Sequence, residues 1–356
     1  MLGHKIALNM EARAPGVIKL FGEHAVVYDR LAVAMAIDKY AYANVGKAAG
    51  EFSVGLLDFG RSGNFSEKEL ESIYISYFAK DSIPDQKGKT EHILKFIGEN
   101  SAVDADLLPF AVIASRIHKQ YGAGLNGIKA EIRSEIPTQK GFASSASCYT
   151  AFTLAMLNYL GISLGHDEII EIAKDGERVR HKNEGAGKID VSTSYYGGFV
   201  SYRGSSGAKK ENDINTNIVL HAIDTGPKKS TAEMVGRVRE IYESNREYAN
   251  YLLDRIEACS TRGIAALKSD DAESLGKIMD ENHSYLRMLG VSSESLEDAI
   301  ALTKAAGGLG AKLSGGGGGG IAIAITKDHD ALEKELALHG YVNYSVGVSK
   351  SGASVN

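Results

Sequence analysis

Apolar positions recur along the chain with a period near two in some stretches and near three and a half in others, which predicts alternating strands and helices. Strand character covers residues 12–21, breaks at Gly22-Glu23-His24, and returns at 32–37 and 40–46. Residues 52–88 are polar and glycine-containing and read as an irregular insertion. Helical spacing follows at 90–99 and 105–121, then a strand at 127–132. After Pro137, residues 144–160 carry apolar side chains at helical intervals (Ala146, Phe152, Met156, Tyr159), and 166–181 form another helix. Residues 191–203 read as a strand that ends in Gly204-Ser205-Ser206-Gly207.

That small-residue segment is the expected boundary between two units, 1–206 and 207–356. The second unit opens with a strand at 218–223 and continues with helices at 231–267, 272–289 and 293–306. A strand at 321–325, a helix at 328–338 and a strand at 342–348 close it. Nothing repeats at an interval of 20–50 residues, so the pattern describes a two-domain α+β protein.

Between the helix and strand that precede residue 326 stand six consecutive glycines, Gly315 to Gly320. Ordering glycine costs more backbone entropy than ordering any other residue, so such a run beside a core strand needs a reason. A flexible linker would be flanked by loops. This run is flanked by regular elements, which favours a backbone that approaches a ligand too closely for any Cβ. Gly→Ala changes within 315–320 are then expected to weaken turnover more than folding.

Composition narrows the field. The 356 residues carry 44% hydrophobic and 24% charged side chains and a formal net charge of −5. Lysines and arginines are scattered, so neither nucleic acid nor an anionic membrane surface is an expected partner. Residues 1–12 lack the apolar stretch of a signal peptide, and no apolar run is long enough to span a bilayer. Cys148 and Cys259 have no metal-ligand spacing. They fit a reducing, cytoplasmic compartment, with one disulfide left open.

Four constellations carry candidate chemistry. In Pro137–Ser147 (PTQKGFASSAS) a proline fixes the entry, Gly141 permits a tight turn, and Ser144-Ser145 begin a helix. Free N–H groups and the macrodipole make such a terminus an anion site, although Ser144 also fits a plain N-cap. Gly185-Ala-Gly-Lys188 is only a fragment of a P-loop, because Ile189 stands where Ser or Thr is required. Glu177 falls on the apolar face set by Ile169, Ile170 and Ala173, where a carboxylate is costly unless paired or metal-bound. Lys174, Arg178 and Arg180 are the alternative partners. Asp190 follows a glycine-containing loop at the expected start of a strand, as a catalytic or a capping residue. Lastly, Ser230 and Glu233 match the S-x-x-E capping box, so a binding role for Ser230 or Thr231 would be additional.

In this order the pieces resemble the GHMP kinase superfamily, and within it the mevalonate kinases. Residues 14–28 (APGVIKLFGEHAVVY) are similar to its first motif, Pro137–Ser147 to its second, and Lys312–Gly320 to its third. Lys229-Ser230-Thr231 resembles the segment lining the mevalonate site. The resemblance implies Mg²⁺- and ATP-dependent phosphoryl transfer to an alcohol, with ATP and mevalonate as small-molecule partners; a homodimer is left open. It gives Asp190 the hydroxyl proton, Glu177 and Ser145 the Mg²⁺, and Lys140, Gly141, Phe142, Ala143, Ser144, Ser145 and Ala146 the phosphates. Glu23, His24, Ser230, Thr231, Gly315, Gly316 and Gly317 would face the substrate.

Three features depart from the family pattern. Val17 stands where lysine usually follows Pro-Gly, and Lys19, on the same strand face about 6.6 Å along, is the expected substitute. Phe142-Ala143 replaces Leu-Gly. The segment 182–189 is longer and lacks Pro-Ser-Gly before Asp190.

Overall fold

The computed structural model describes residues 9–83, 86–182, 188–226 and 229–356. Most of the 182–189 segment, including the P-loop-like glycines, and Lys228 lie outside these residues. In chain order the strands are β1 (Asn9–Phe21), β2 (Ala32–Lys47), β3 (Phe52–Leu56), β4 (Arg61–Phe65), β5 (Ile128–Ser134), β6 (Phe199–Arg203), β7 (Gly207–Lys210), β8 (Leu220–Asp224), β9 (Gly310–Ser314), β10 (Ile321–Ile325), β11 (Val342–Val346) and β12 (Ser354–Val355). The helices are α1 (Glu67–Phe78), α2 (Gln86–Glu99), α3 (Leu108–Tyr121), α4 (Ser144–Tyr159), α5 (His166–Arg180), α6 (Lys188–Tyr196), α7 (Thr231–Ser244), α8 (Arg246–Lys268), α9 (Ala272–Met288), α10 (Glu294–Ala305) and α11 (His329–Leu338).

Two sheets organise them. The larger runs β12-β1-β2-β5-β3-β4, with β6 on β2 and β7 on β6, so strands from both ends of the chain join it. The smaller is antiparallel in the order β11-β8-β10-β9. Numbered within that sheet the order is 4-1-3-2, the ferredoxin-like arrangement of a split βαβ fold. β9 and β10 are buried along their whole length; the unbroken small and apolar sequence of β10 allows this, whereas β9 buries a lysine, Lys312.

The structure corrects several expectations. The stretch 52–88 is not irregular: β3 alternates buried Phe52, Val54 and Leu56 with half-buried residues, pairs with β4 and β5, and leads into α1. Helix α1 opens on a reciprocal capping box between Ser66 and Glu69. Residues 32–37 and 40–46 are one strand, kept continuous by a register shift opposite Pro15/Gly16. The long helix at 231–267 divides at Asn245, whose side chain caps α8.

Most consequential is 191–203, where the expected strand starts as helix α6 and becomes strand only at Phe199. β-branched Val191 and Thr193 suggested a strand, but tertiary contacts override that weak preference. The Thr193 hydroxyl donates to the Ile189 carbonyl and that of Ser194 to the Pro15 carbonyl, so both buried hydroxyls are satisfied within a helix. Asp190 consequently sits in the first turn of α6 rather than opening a strand.

Candidate active site

Strand β1 is the axis of the site. Its Val17 is buried with Ala32, Ala34 and Ile189, while Lys19, two residues on, points the same way and reaches the next residue of α6. The Lys19 ammonium donates to Asp190 Oδ2 at 2.8 Å. The other oxygen, Asp190 Oδ1, is buried and accepts no hydrogen bond among the described residues. Burial works against the Lys19 charge, but Asp190 above all, then Glu177 and Glu23, outweigh it and hold the ammonium above its ordinary range. Lys19 keeps about a third of its side chain exposed, so it is approachable from solvent while electrostatically tied to three carboxylates.

Glu177 comes from α5 and is almost wholly buried. None of its expected arginine or lysine partners takes it: Arg178 pairs with Asp175 and Glu171, Arg180 with Asp106, Lys174 with Glu171. Instead His181, one helical turn on, lies 3.3 Å from Oε2, and Oε1 has no hydrogen-bond partner among the described residues. Burial alone would raise this carboxyl; His181, the Ser145 hydroxyl and Lys19 together bring it below its ordinary value. His181 was not singled out from sequence, and its i+4 spacing from Glu177 is the signal that could have found it.

The second motif forms a turn before α4. Gln139, Gly141 and Ala143 all adopt positive φ, and Ala143 occupies the N-cap position of α4 at φ 49°, ψ 39°. An alanine there carries strain that neighbours must hold, and the Val17 N–H does so by donating to the Phe142 carbonyl at 2.9 Å. Ser144 is therefore the first residue of α4 and not its cap, and no side chain among the described residues caps that terminus. The first N–H groups of α4, with Ser144 and Ser145 beside them, are what an anion would meet. Lys140 at the turn forms an ion pair with Asp224 at the end of β8.

The glycine run joins this constellation from the smaller sheet. Residues 312, 314 and 316 each bond back to the segment 19–24: Lys312 pairs with Glu23, the Ser314 hydroxyl donates to the Lys19 carbonyl at 2.9 Å, and His24 Nε2 donates to the Gly316 carbonyl at 2.9 Å. The run is ordered throughout, with Gly315 and Gly317 to Gly320 at positive φ. Gly318 donates to the Val291 carbonyl and accepts from the Lys229 N–H. Thr231 lies against Gly316, where an added Cβ would be 3.2 Å from its hydroxyl oxygen. Ser230 caps α7 through the Glu233 N–H, but the Glu233 carboxylate turns to Lys229, so the capping box is only half made.

His24 also offers a pH test. Burial pushes its imidazole down to about 4 from an ordinary 6.5, so it stays neutral near pH 7 and donates one N–H to Gly316. Between those values the unfolded chain takes up a proton that the folded one refuses. This stabilisation is complete above pH 6.5 and is lost as the pH falls, at up to about 1.4 kcal/mol per unit. His221 and His283 are lowered in the same sense. Chemical denaturation from pH 7 to 5 is expected to show falling stability, with a shallower slope in His24→Asn; an unchanged slope would assign the loss to the other two.

Glu177 and Ser145 are hard oxygen donors, and Glu177 Oε1 is buried with no hydrogen-bond partner among the described residues. That suits Mg²⁺, which is usually held by one or two carboxylates together with substrate phosphates and water. Among the described residues, no group of three or more His, Cys, Asp or Glu gathers into an all-protein metal cage. Cys148 and Cys259 are free thiols. No helix among the described residues is long and apolar enough to cross a membrane.

Over most of its length the chain is similar to known proteins. Residues 109–198 match the family "GHMP kinases N terminal domain" and residues 264–337 match "GHMP kinases C terminal". The class is thus a GHMP kinase. The chain is 30% identical over 335 residues to a mevalonate kinase of Saccharolobus solfataricus, covering 94% of each protein. It is 32% identical to one of Thermococcus sibiricus, covering 90% of each. Among solved structures, Methanococcus jannaschii mevalonate kinase superposes with a TM-score of 0.76 at 25% identity, covering 96% of this chain and 98% of that one. The fold alone is shared with L. major mevalonate kinase in complex with R-mevalonate, at TM-score 0.73, 23% identity and 96% of each chain. The chain belongs to the mevalonate kinase family.

Proposed function

We propose that this chain transfers the γ-phosphoryl group of ATP to the 5-hydroxyl of (R)-mevalonate in the cytoplasm, giving ADP and 5-phosphomevalonate. The observation that carries the reading is the Lys19–Asp190 pair, with a free, buried Asp190 Oδ1. Asp190 accepts or orients the hydroxyl proton at Oδ1, while Lys19, bonded to Oδ2, orients the carboxylate and offers positive charge to the transferring group. The turn from Lys140 to Ala146, at the N-terminus of α4, holds the phosphates. Mg²⁺ would be held by Glu177 and Ser145, and when bound it neutralises phosphate charge. Glu23, His24, Ser230, Thr231 and Gly315 to Gly317 line the acceptor side. The unit 1–206 thus supplies the phosphate turn and base, and the unit 207–356 closes the site with its glycine run. Chemistry of this kind is mostly positioning and charge stabilisation, which a rigid site of this composition supplies.

ADP release is to be followed with ATP, Mg²⁺ and, in turn, mevalonate, 5-phosphomevalonate, galactose and homoserine. Turnover with mevalonate alone is expected. Preference for 5-phosphomevalonate would reassign the chain within the superfamily, and binding without turnover would make it a non-catalytic relative.

A further inference from the structure

Beside the glycine run lies a fully buried ion pair, Lys312 with Glu23, in which Lys312 has no role in the reading above. Both side chains are wholly inaccessible to solvent, one on β9 of the smaller sheet and the other on the turn after β1. The Lys312 ammonium has two acceptors, Glu23 Oε1 and the Leu313 carbonyl at 2.6 Å. Glu23 Oε2 has no hydrogen-bond partner among the described residues, and the carboxylate is near enough to Lys19 to help hold its charge. A buried ion pair returns little net stability, because desolvation of two charges offsets their attraction. A buried carboxylate with an open oxygen costs more still. An apolar pair would fill this space with less penalty, so stability does not account for it.

We propose that Lys312 is a positioning residue: by fixing Glu23 Oε1, it leaves Oε2 as the single acceptor offered to a hydroxyl of the acceptor substrate. This rests on the mevalonate kinase reading above. An ionised carboxylate oxygen only accepts hydrogen bonds, so it selects a hydroxyl donor and repels the substrate's own carboxylate. Lys312 does so from the smaller sheet, in register with Ser314 and Gly316, whose bonds hold the neighbouring backbone and His24. The acceptor side is therefore assembled by alternate residues of one strand and the turn that continues it.

The test compares Lys312→Met, Lys312→Arg and the double variant Glu23→Gln/Lys312→Met with the wild-type enzyme, by steady-state kinetics, calorimetric titration with mevalonate and thermal melting. Lys312→Met is expected to raise KM for mevalonate about tenfold or more, with KM for ATP almost unchanged, the loss of one hydrogen bond to a charged group. Lys312→Arg restores most of the mevalonate affinity. The double variant strands no charge and keeps the two side-chain volumes similar, so it is expected to melt near wild type and still bind mevalonate weakly. If Lys312→Met melts lower but keeps its mevalonate KM, or the double variant binds mevalonate normally, the assignment is overturned. Where Lys312→Met does not fold, the other two variants decide. Absence of mevalonate binding to the wild type itself would overturn the functional reading, and this assignment with it.

Discussion

Asp190→Asn is expected to lower kcat by about a thousandfold or more, the range general acid–base groups supply, while nucleotide affinity changes little. The substitution keeps shape and burial. It removes the charge that Lys19 is bonded to and the lone pair that Oδ1 leaves open. Nucleotide affinity is spared because the phosphate turn and Glu177 stand on other elements, α4 and α5. Lys19→Met separates two explanations. If Asp190 takes the proton itself, Lys19→Met is the milder change and the double variant is no worse than Asp190→Asn. If Asp190 serves only to hold Lys19, the two single variants and the double variant are equally impaired. A near-normal kcat in Asp190→Asn would remove Asp190 from the chemistry.

Gly317→Ala is expected to destabilise the fold by about 3 kcal/mol or more, seen as a lower melting temperature and poor soluble yield. The backbone there has φ +76°, and an added Cβ would lie 2.0 Å from the Val291 carbonyl oxygen, the acceptor of the Gly318 N–H. The methyl group and that hydrogen bond cannot coexist. Gly315→Ala is the contrasting case: φ is +85°, but no atom of the described residues lies within 4 Å of the added Cβ. Its structural cost is only left-handed strain, about 1 kcal/mol. A larger loss of turnover at Gly315 than at sites of equal stability loss therefore reports ligand approach. The expectation that any alanine in the run harms turnover more than folding is thereby divided. Gly317 answers to packing, and Gly315 to the open side. Equal melting temperatures for the two variants would contradict this division.

Much of this was legible because it is local. The motif order, the strands β1, β8 and β10, and the apolar face that carries Glu177 are written in short stretches of sequence. Lys19 could be foreseen as the partner of Asp190 because strand geometry aligns residues 17 and 19. What escaped depends on contacts distant in sequence. The helical state of 188–196 rests on Ser194 reaching Pro15, and no local propensity reports that bond. The pairing of Glu23 with Lys312 spans 289 positions. The hairpin β3–β4 was lost to its polar residues, although the alternation Phe52, Val54, Leu56 and the Ser66–Glu69 box were there to be read.

The central claim is that the Asp190–Lys19 pair directs ATP to one particular hydroxyl of mevalonate. Phosphorus NMR of the product formed from ATP, Mg²⁺ and (R)-mevalonate tests it most directly. A phosphomonoester coupled to the C5 methylene protons is the predicted result. A phosphate on the tertiary C3 oxygen, which has no such coupling, would contradict it.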